Sequence, residues 1–144
     1  MSRGYTLMEV LVALAVVGMV LAAVPLMLGG ARPGVEVRAA AIELASALRQ
    51  TRSASIAGFR SETFVLDTER GVYRAGSAQA ETTLPDGLEV SLYTARSELE
   101  DEHTGRIRFF PDGSATGGRI TLAGGGHSYV VAVDWLTGAV EVER

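Results

Sequence analysis

The chain has 144 residues, no cysteine, and 13 basic residues that are all arginine. Seventeen acidic residues leave a net charge of −4, so nothing in the balance points to a strongly basic nucleic-acid surface. Disulfides and thiolate metal sites are excluded, and without lysine so are a P-loop lysine, a Schiff base and a Ser-Lys catalytic pair.

The N-terminal segment is the most informative part of the chain. Met1-Ser2-Arg3-Gly4 carries one positive charge, Tyr5-Thr6-Leu7-Met8-Glu9 follows, and from Val10 to Ala31 no side chain is ionisable. As a helix that charge-free run is roughly 33 Å long, enough to cross a hydrocarbon core of about 30 Å. A carboxylate near its start is costly, about 2.5–3.5 kcal/mol at a bilayer centre and less near an end, and is ordinarily kept for a partner. The bland reading of Glu9 is a helix-end carboxylate reaching back to water. A cleaved secretory signal fits poorly, because the basic leader is too short and a carboxylate sits where the apolar core should begin.

Pro25, Gly29, Gly30, Pro33 and Gly34 interrupt the second half of this stretch. Two readings stand: a helix bent at Pro25, or a plain linker from Gly29 to Gly34. From Val35 to about Ala57, Val37, Ala41, Leu44 and Leu48 recur at helical spacing, with Arg38, Arg49 and Arg52 on another face and Gly58 as a stop. The alanine-rich stripe suits close packing of a helix on a sheet.

Beyond Gly58 the pattern is strand and turn. Thr63–Leu66 and Val72–Arg74 flank a turn over Asp67–Gly71, and Leu88–Tyr93 alternates. Arg106–Phe110, Arg119–Leu122, Ser128–Val133 and Ala139–Val142 add four strands, with turn chemistry at Pro111-Asp112-Gly113 and Leu136-Thr137-Gly138. The expected class is α+β: a long N-terminal transmembrane and amphipathic helix, then an antiparallel sheet domain folded into a two-layer β-sandwich. One soluble domain of about 110 residues is enough for one modest core.

The string Gly4-Tyr5-Thr6-Leu7-Met8-Glu9-Val10-Leu11-Val12-Ala13-Leu14 resembles the N-terminal signature of type IV pilins and type II secretion pseudopilins. The resemblance implies that a prepilin peptidase cuts after Gly4 on the cytoplasmic side and that Tyr5 becomes the N-methylated terminus. Tyr replaces the usual Phe there. Glu9 then occupies the family's glutamate position, where it can pair with the terminal ammonium of a neighbouring subunit and set the stagger between chains. The family's long helix often bends or melts near Pro25.

Phe110-Pro111-Asp112-Gly113-Ser114-Ala115-Thr116-Gly117-Gly118, followed by Ile120-Thr121-Leu122, Val133-Asp134 and Thr137-Gly138, resembles the C-terminal half of the GspH/FimT group. What the resemblance implies is a minor pseudopilin of H type, at or near the tip of the type II secretion pseudopilus, supporting export of folded proteins across the outer membrane. The implied division is 1–4 leader, 5–31 transmembrane helix, 32–58 amphipathic continuation and 59–144 periplasmic β domain. The implied location is the inner membrane, crossed once with the N-terminus cytoplasmic, then the periplasmic filament. Its partners would be the prepilin peptidase, other major and minor pseudopilins through the N-terminal helix, and inner-membrane lipid. Exported substrate or the outer-membrane secretin extends that set. The alternative is a FimT-like minor pilin of a type IV pilus, serving pilus assembly or DNA uptake. A third reading is a membrane-anchored periplasmic enzyme or calcium-dependent binding domain.

Chemistry-bearing clusters are sparse. His103 and His127 are the only histidines, no nucleophile-elbow sequence surrounds a serine, and no catalytic residue or cofactor is expected. Glu98, Glu100, Asp101 and Glu102, with His103, form the densest charge cluster. Such a loop can hold calcium, but the alternating ligand spacing is missing, so it reads as solvated and no metal is expected. Arg60, Arg70, Arg74, Arg96, Arg106, Arg108 and Arg119 are scattered over strands and turns; Arg106 and Arg108 share a strand face, with Arg119 a candidate neighbour. Without aromatic interleaving this reads as solvated strand faces, and nucleic acid is not an expected partner. Gly124-Gly125-Gly126 reads as a turn, not a phosphate cradle.

Overall fold

The computed structural model describes residues 7–28, 33–78, 80–95, 98–99 and 101–144, and of residues 20–28 and 33 the backbone alone. The chain divides into two compact units, Met1–Arg32 and Pro33–Arg144.

The first unit holds one helix, α1, Leu7–Leu28. Leu, Ala, Met and Glu, which make up most of it, are good helix formers, and no Ser, Thr, Asn or Asp competes for its backbone hydrogen bonds. Leu7, Met8, Val10, Leu11, Val12, Leu14, Val16 and Val17 are all exposed, and at 100° per residue they surround the helix except for the arc that holds Glu9 and Ala13. Pro25 lies within α1, while Gly4, Tyr5 and the Gly29–Arg32 stretch fall outside the described residues. No helix is long and apolar enough to cross a membrane among the described residues, and α1 contributes side chains to these only from Leu7 to Met19, about 20 Å of rise. The charge-free run in the sequence is longer than that.

The second unit opens with α2, Pro33–Gly58. Proline at the first helical position costs no hydrogen bond, so Pro33 and Gly34 begin the helix and do not act as a linker. The expected stripe is the buried one: Val37, Ala41, Leu44 and Leu48 are almost wholly enclosed, joined by Ala40 and Ala45. The helix ends at Gly58 as expected, but the left-handed residue that closes it is Phe59, with φ of 49°. The Phe59 amide donates to the Ile56 carbonyl and the Arg60 amide to that of Ser55, which together form a Schellman cap.

Eight strands follow among the described residues: β1 Glu62–Asp67, β2 Val72–Ala75, β3 Thr82–Thr83, β4 Glu89–Thr94, β5 Thr104–Phe109, β6 Gly118–Gly124, β7 His127–Val133 and β8 Val140–Glu143. All pairings are antiparallel, in two four-stranded sheets ordered β3-β2-β1-β5 and β4-β6-β7-β8. Seven strands were expected; the eighth, β3, is two residues long and too short to show an alternating pattern. β1 and β2 form the expected hairpin, its turn held by the Asp67 carboxylate, which accepts from the Arg70 amide at 2.8 Å. Gly125 and Gly126, both at positive φ, make the two-residue turn between β6 and β7.

α2 packs against β1, β2 and β5 of one sheet and β6, β7 and β8 of the other. Its apolar stripe therefore meets Phe64, Leu66, Ile107 and Phe109 on one side and Ile120, Leu122 and Val131 on the other in a single core. Phe64 and Tyr73 stack at 5.4 Å between ring centres. The alanines let helix and sheet backbones approach, and each buried large aliphatic side chain contributes about 1.5–3 kcal/mol.

Candidate functional site

Two regions carry the polar and exposed features from which a function can be read: helix α1 and the surfaces of the β domain. Glu9 lies in the first turn of α1 with its side chain at the surface. An anionic group there complements the positive end of the helix dipole. It is the one ionisable side chain of the helix, as the charge pattern required.

The acidic loop departs from the solvated reading. Glu98 is only 5 % exposed. Its Oε2 lies 3.6 Å from Arg108 Nη2 and 3.9 Å from Arg106 Nε, too long for hydrogen bonds but close enough for strong charge attraction in a partly buried site. β5 alternates Arg106 and Arg108 outwards, and the loop from β4 folds Glu98 over them. Asp101 instead stabilises its own turn. Its Oδ1 accepts from the His103 and Thr104 amides, and these bonds hold its carboxyl below the ordinary value. Glu102 and His103 are exposed. Among the described residues no three acidic or histidine side chains stand close enough to hold a metal ion, and Glu100 and Arg96 lie outside those residues.

The arginine stripe is also divided. Arg74, Val65 and Arg106 are in register across β2, β1 and β5, with Arg108 opposite Thr63, so three arginines share one outer face. Arg119 is on β6, in the other sheet, opposite Tyr93. Strand periodicity places side chains on a face but says nothing of which sheet a strand joins. Arg70 pairs with Glu81 at 3.1 Å, and Arg60 with the buried Glu62 at 2.7 Å.

Two of the three arginines placed on the other face of α2 are structural. Arg52 donates from Nε to the Gly113 carbonyl and from Nη2 to the Thr137 carbonyl, and Arg49 donates to that of Val140 at 2.7 Å. The Ser55 hydroxyl, fully buried, donates to the Phe110 carbonyl. The Phe110 and Gly113 carbonyls of the β5–β6 turn and the Thr137 carbonyl of the β7–β8 turn thus accept from α2 side chains. Gly138, at φ 62°, leaves no room for a side chain, since a Cβ there would collide with the Gly113 carbonyl. The motif residues of both turns therefore meet at one place. Asp112 accepts from the Ser114 hydroxyl and amide, and Asp134 from the Thr137 amide and hydroxyl and the Leu136 amide; both carboxyls are held below the ordinary value by those bonds.

The histidines are apart in the fold. The carbonyl of His103 accepts from Thr68, whereas the ring of His127 packs over Gly34 with Nδ1 at 3.0 Å from the Gly125 carbonyl. Burial, and then the Glu43 carboxylate, push the Tyr73 hydroxyl above its ordinary value.

An apolar N-terminal helix bearing a single glutamate, with a second helix packed on two antiparallel sheets, is the build of the pilin-like proteins. The prokaryotic N-terminal methylation motif matches residues 1–25. The chain belongs to the family described as type II transport protein GspH, which matches residues 40–138. It is 33% identical over 138 residues to the type II secretion system protein H of Xanthomonas campestris pv. campestris, covering 96% of this chain and 81% of that one. Among solved structures it resembles the minor pseudopilin EpsH from the type 2 secretion system of Vibrio cholerae, at a TM-score of 0.57 and 14% identity, over 76% of this chain and 97% of that one. The type IV minor pilin FimU of Pseudomonas aeruginosa matches at a TM-score of 0.55 and 16% identity, over 76% of this chain and 89% of the other. These two likenesses are of fold.

Proposed function

We propose that this chain is a minor pseudopilin, a structural subunit at or near the tip of a type II secretion pseudopilus. The observation that carries the reading is the pairing, in one chain, of the methylation motif at residues 1–25 with a GspH domain at residues 40–138. The 33% identity to a type II secretion protein H favours secretion over the type IV pilus, for which the FimU likeness offers fold alone.

In this reading Gly4 and Tyr5 mark the cut by prepilin peptidase and the methylated terminus, and residues 5–31 anchor the chain in the inner membrane with the β domain in the periplasm. The apolar surface that surrounds α1, broken only on the side of Glu9, suits first lipid and then neighbouring helices. Glu9 is the assembly residue. The terminal ammonium of one subunit pairs with Glu9 of the next, an attraction of roughly 4 kcal/mol at about 4 Å and an effective dielectric near 20, before desolvation is subtracted. Pro25 weakens the helix ladder by one hydrogen bond and gives it a place to bend as subunits pack. The work is mechanical, and no residue is assigned a catalytic role.

Intact mass and N-terminal sequence of the protein from membranes of its native host test the reading. A chain that starts at N-methyl-Tyr5 is expected. Gly4→Val should keep the precursor mass, and Glu9→Gln should leave a cleaved chain that fails to enter filaments. A wild-type chain that still starts at Met1, or is cut near Ala23, overturns the reading.

A further inference from the structure

On the outer side of the β4-β6-β7-β8 sheet, over Gly117 and Gly118, lies a cleft of about 490 Å³. Tyr93 and Trp135 wall it, Thr94, Thr116 and Val133 complete its lining, and Arg119 is the one charged side chain among the described lining residues. Tyr93 is 80 % exposed and Trp135 65 %. Tyr93 stands directly opposite Arg119 across β4 and β6, with Ala132 on β7 and then Glu141 on β8 in the same row, so Arg119 borders a small side chain on one flank and Tyr93 on the other.

Trp135 projects from a fixed backbone. A Cβ at Gly117 would lie 3.0 Å from its Cβ, so only glycine allows this approach. The Ala115 amide donates to the Trp135 carbonyl at 2.9 Å, and Asp134 beside it ties down the amides of Leu136 and Thr137. Its main chain is therefore ordered before any partner arrives, and little further ordering is lost on binding. Exposed tryptophan and tyrosine beside an arginine have the composition of an interface hot spot. Covering Arg119 with apolar surface alone would strand a desolvated guanidinium, and no ion pair to it is formed by Glu141 or Glu143 of the adjoining cleft, so an occupant that brings a carboxylate fits best.

We propose that this cleft is a docking site for a neighbouring pseudopilin, which inserts an apolar side chain between Tyr93 and Trp135 and pairs a flanking Asp or Glu with Arg119. The proposal rests on the filament reading above. A glycan stacked on the two aromatic rings is the competing occupant. The described lining has no carboxylate or amide side chain between the two rings to bind sugar hydroxyls, since Asp134, Glu141 and Glu143 line the adjoining cleft beyond Arg119 and Trp135, and this favours protein.

The test is site-specific photocrosslinking of the full chain in its native host, with a photoreactive phenylalanine analogue at Trp135, at Tyr93, and at Arg74 on the other sheet as control. Crosslinks from 135 and 93 to another pseudopilin are expected, mapping beside an Asp or Glu of that subunit, with little product from 74. Arg119→Glu should lower the yield at least about tenfold, and replacing the mapped acid with Arg should restore it. Equal yield from 74, a crosslink to glycan, or indifference to Arg119→Glu overturns the proposal. N-terminal mass is read on the same samples. An unprocessed chain marks failure of the filament reading, whereas a processed chain without the crosslink marks failure of this one alone.

Discussion

Arg52 donates from its Nε to the carbonyl of Gly113 at 3.0 Å, and this bond joins the last turns of α2 to a turn 61 residues further along the chain. The same guanidinium reaches the Thr137 carbonyl at 2.9 Å, so one side chain holds both turns that carry the family's C-terminal motif. Helix, β5–β6 turn and β7–β8 turn are thereby coupled.

Arg52→Ala should destabilise the protein by about 2 kcal/mol, since two charge-assisted bonds are lost and the Gly113 carbonyl is left poorly satisfied. Arg52→Lys should recover less than half, because one ammonium cannot match the fork geometry. Gly138→Ala should cost about 3 kcal/mol or more, through strain at φ 62° and the collision with Gly113. Urea unfolding of the detergent-solubilised chain checks all three, and a wild-type midpoint for Gly138→Ala would contradict the packing described.

Glu98→Ala should cost about 2 kcal/mol and increase protease cleavage between β4 and β5, because the attraction of the enclosed carboxylate to Arg106 and Arg108 is then lost. Glu98→Gln should fall between the two, keeping shape without charge. An unchanged cleavage rate in Glu98→Ala would show that the carboxylate does not hold the loop.

Acid should loosen the turns. Asp101, Asp112 and Asp134 all have folded values below the ordinary 3.8, held there by hydrogen bonds from neighbouring amides and hydroxyls. Their contribution is therefore complete above that range and is lost as pH falls through the folded values. Tyr73 runs the other way: its raised value favours the neutral form, so its contribution is lost only as pH rises beyond 10.0. Denaturation midpoints across pH should be flat near neutrality and fall at both ends. The triple Asp→Ala variant should flatten the acid limb, and Tyr73→Phe the alkaline one.

Phe59→Gly should stabilise the domain by about 0.5 kcal/mol. A left-handed non-glycine residue costs roughly 1–2 kcal/mol, and glycine's greater unfolded-chain entropy offsets part of the gain. Phe59 is 85 % exposed, so little packing is lost. A drop in thermal midpoint would mean that the ring has an unrecognised contact.

Short-range signals were legible from the sequence because they depend on residues within a few turns of one another. Val37, Ala41, Leu44 and Leu48 marked the buried stripe of α2, Asp67–Gly71 marked a turn, and the charge-free run with Glu9 singled out α1. The strand count missed only β3, whose two residues, Thr82 and Thr83, carry no periodicity. Most of the candidate surface was not legible in this way. Glu98 read as solvated because its counter-charges, Arg106 and Arg108, reach it only after the β4–β5 loop folds back. Arg52 read as a polar helix face because carbonyl acceptors leave no mark on side-chain sequence.

The amino-acid sequence by itself determined the helix faces, the strands and the N-terminal motif, since periodicity, turn chemistry and a charge-free span are local properties. Tertiary structure alone decided that Arg119 stands apart from Arg106 and Arg108, that Glu98 is enclosed, and that Trp135 is held out over Gly117. Each of these depends on which strands share a sheet and which turns meet α2, contacts between residues far apart in the chain that no local pattern encodes.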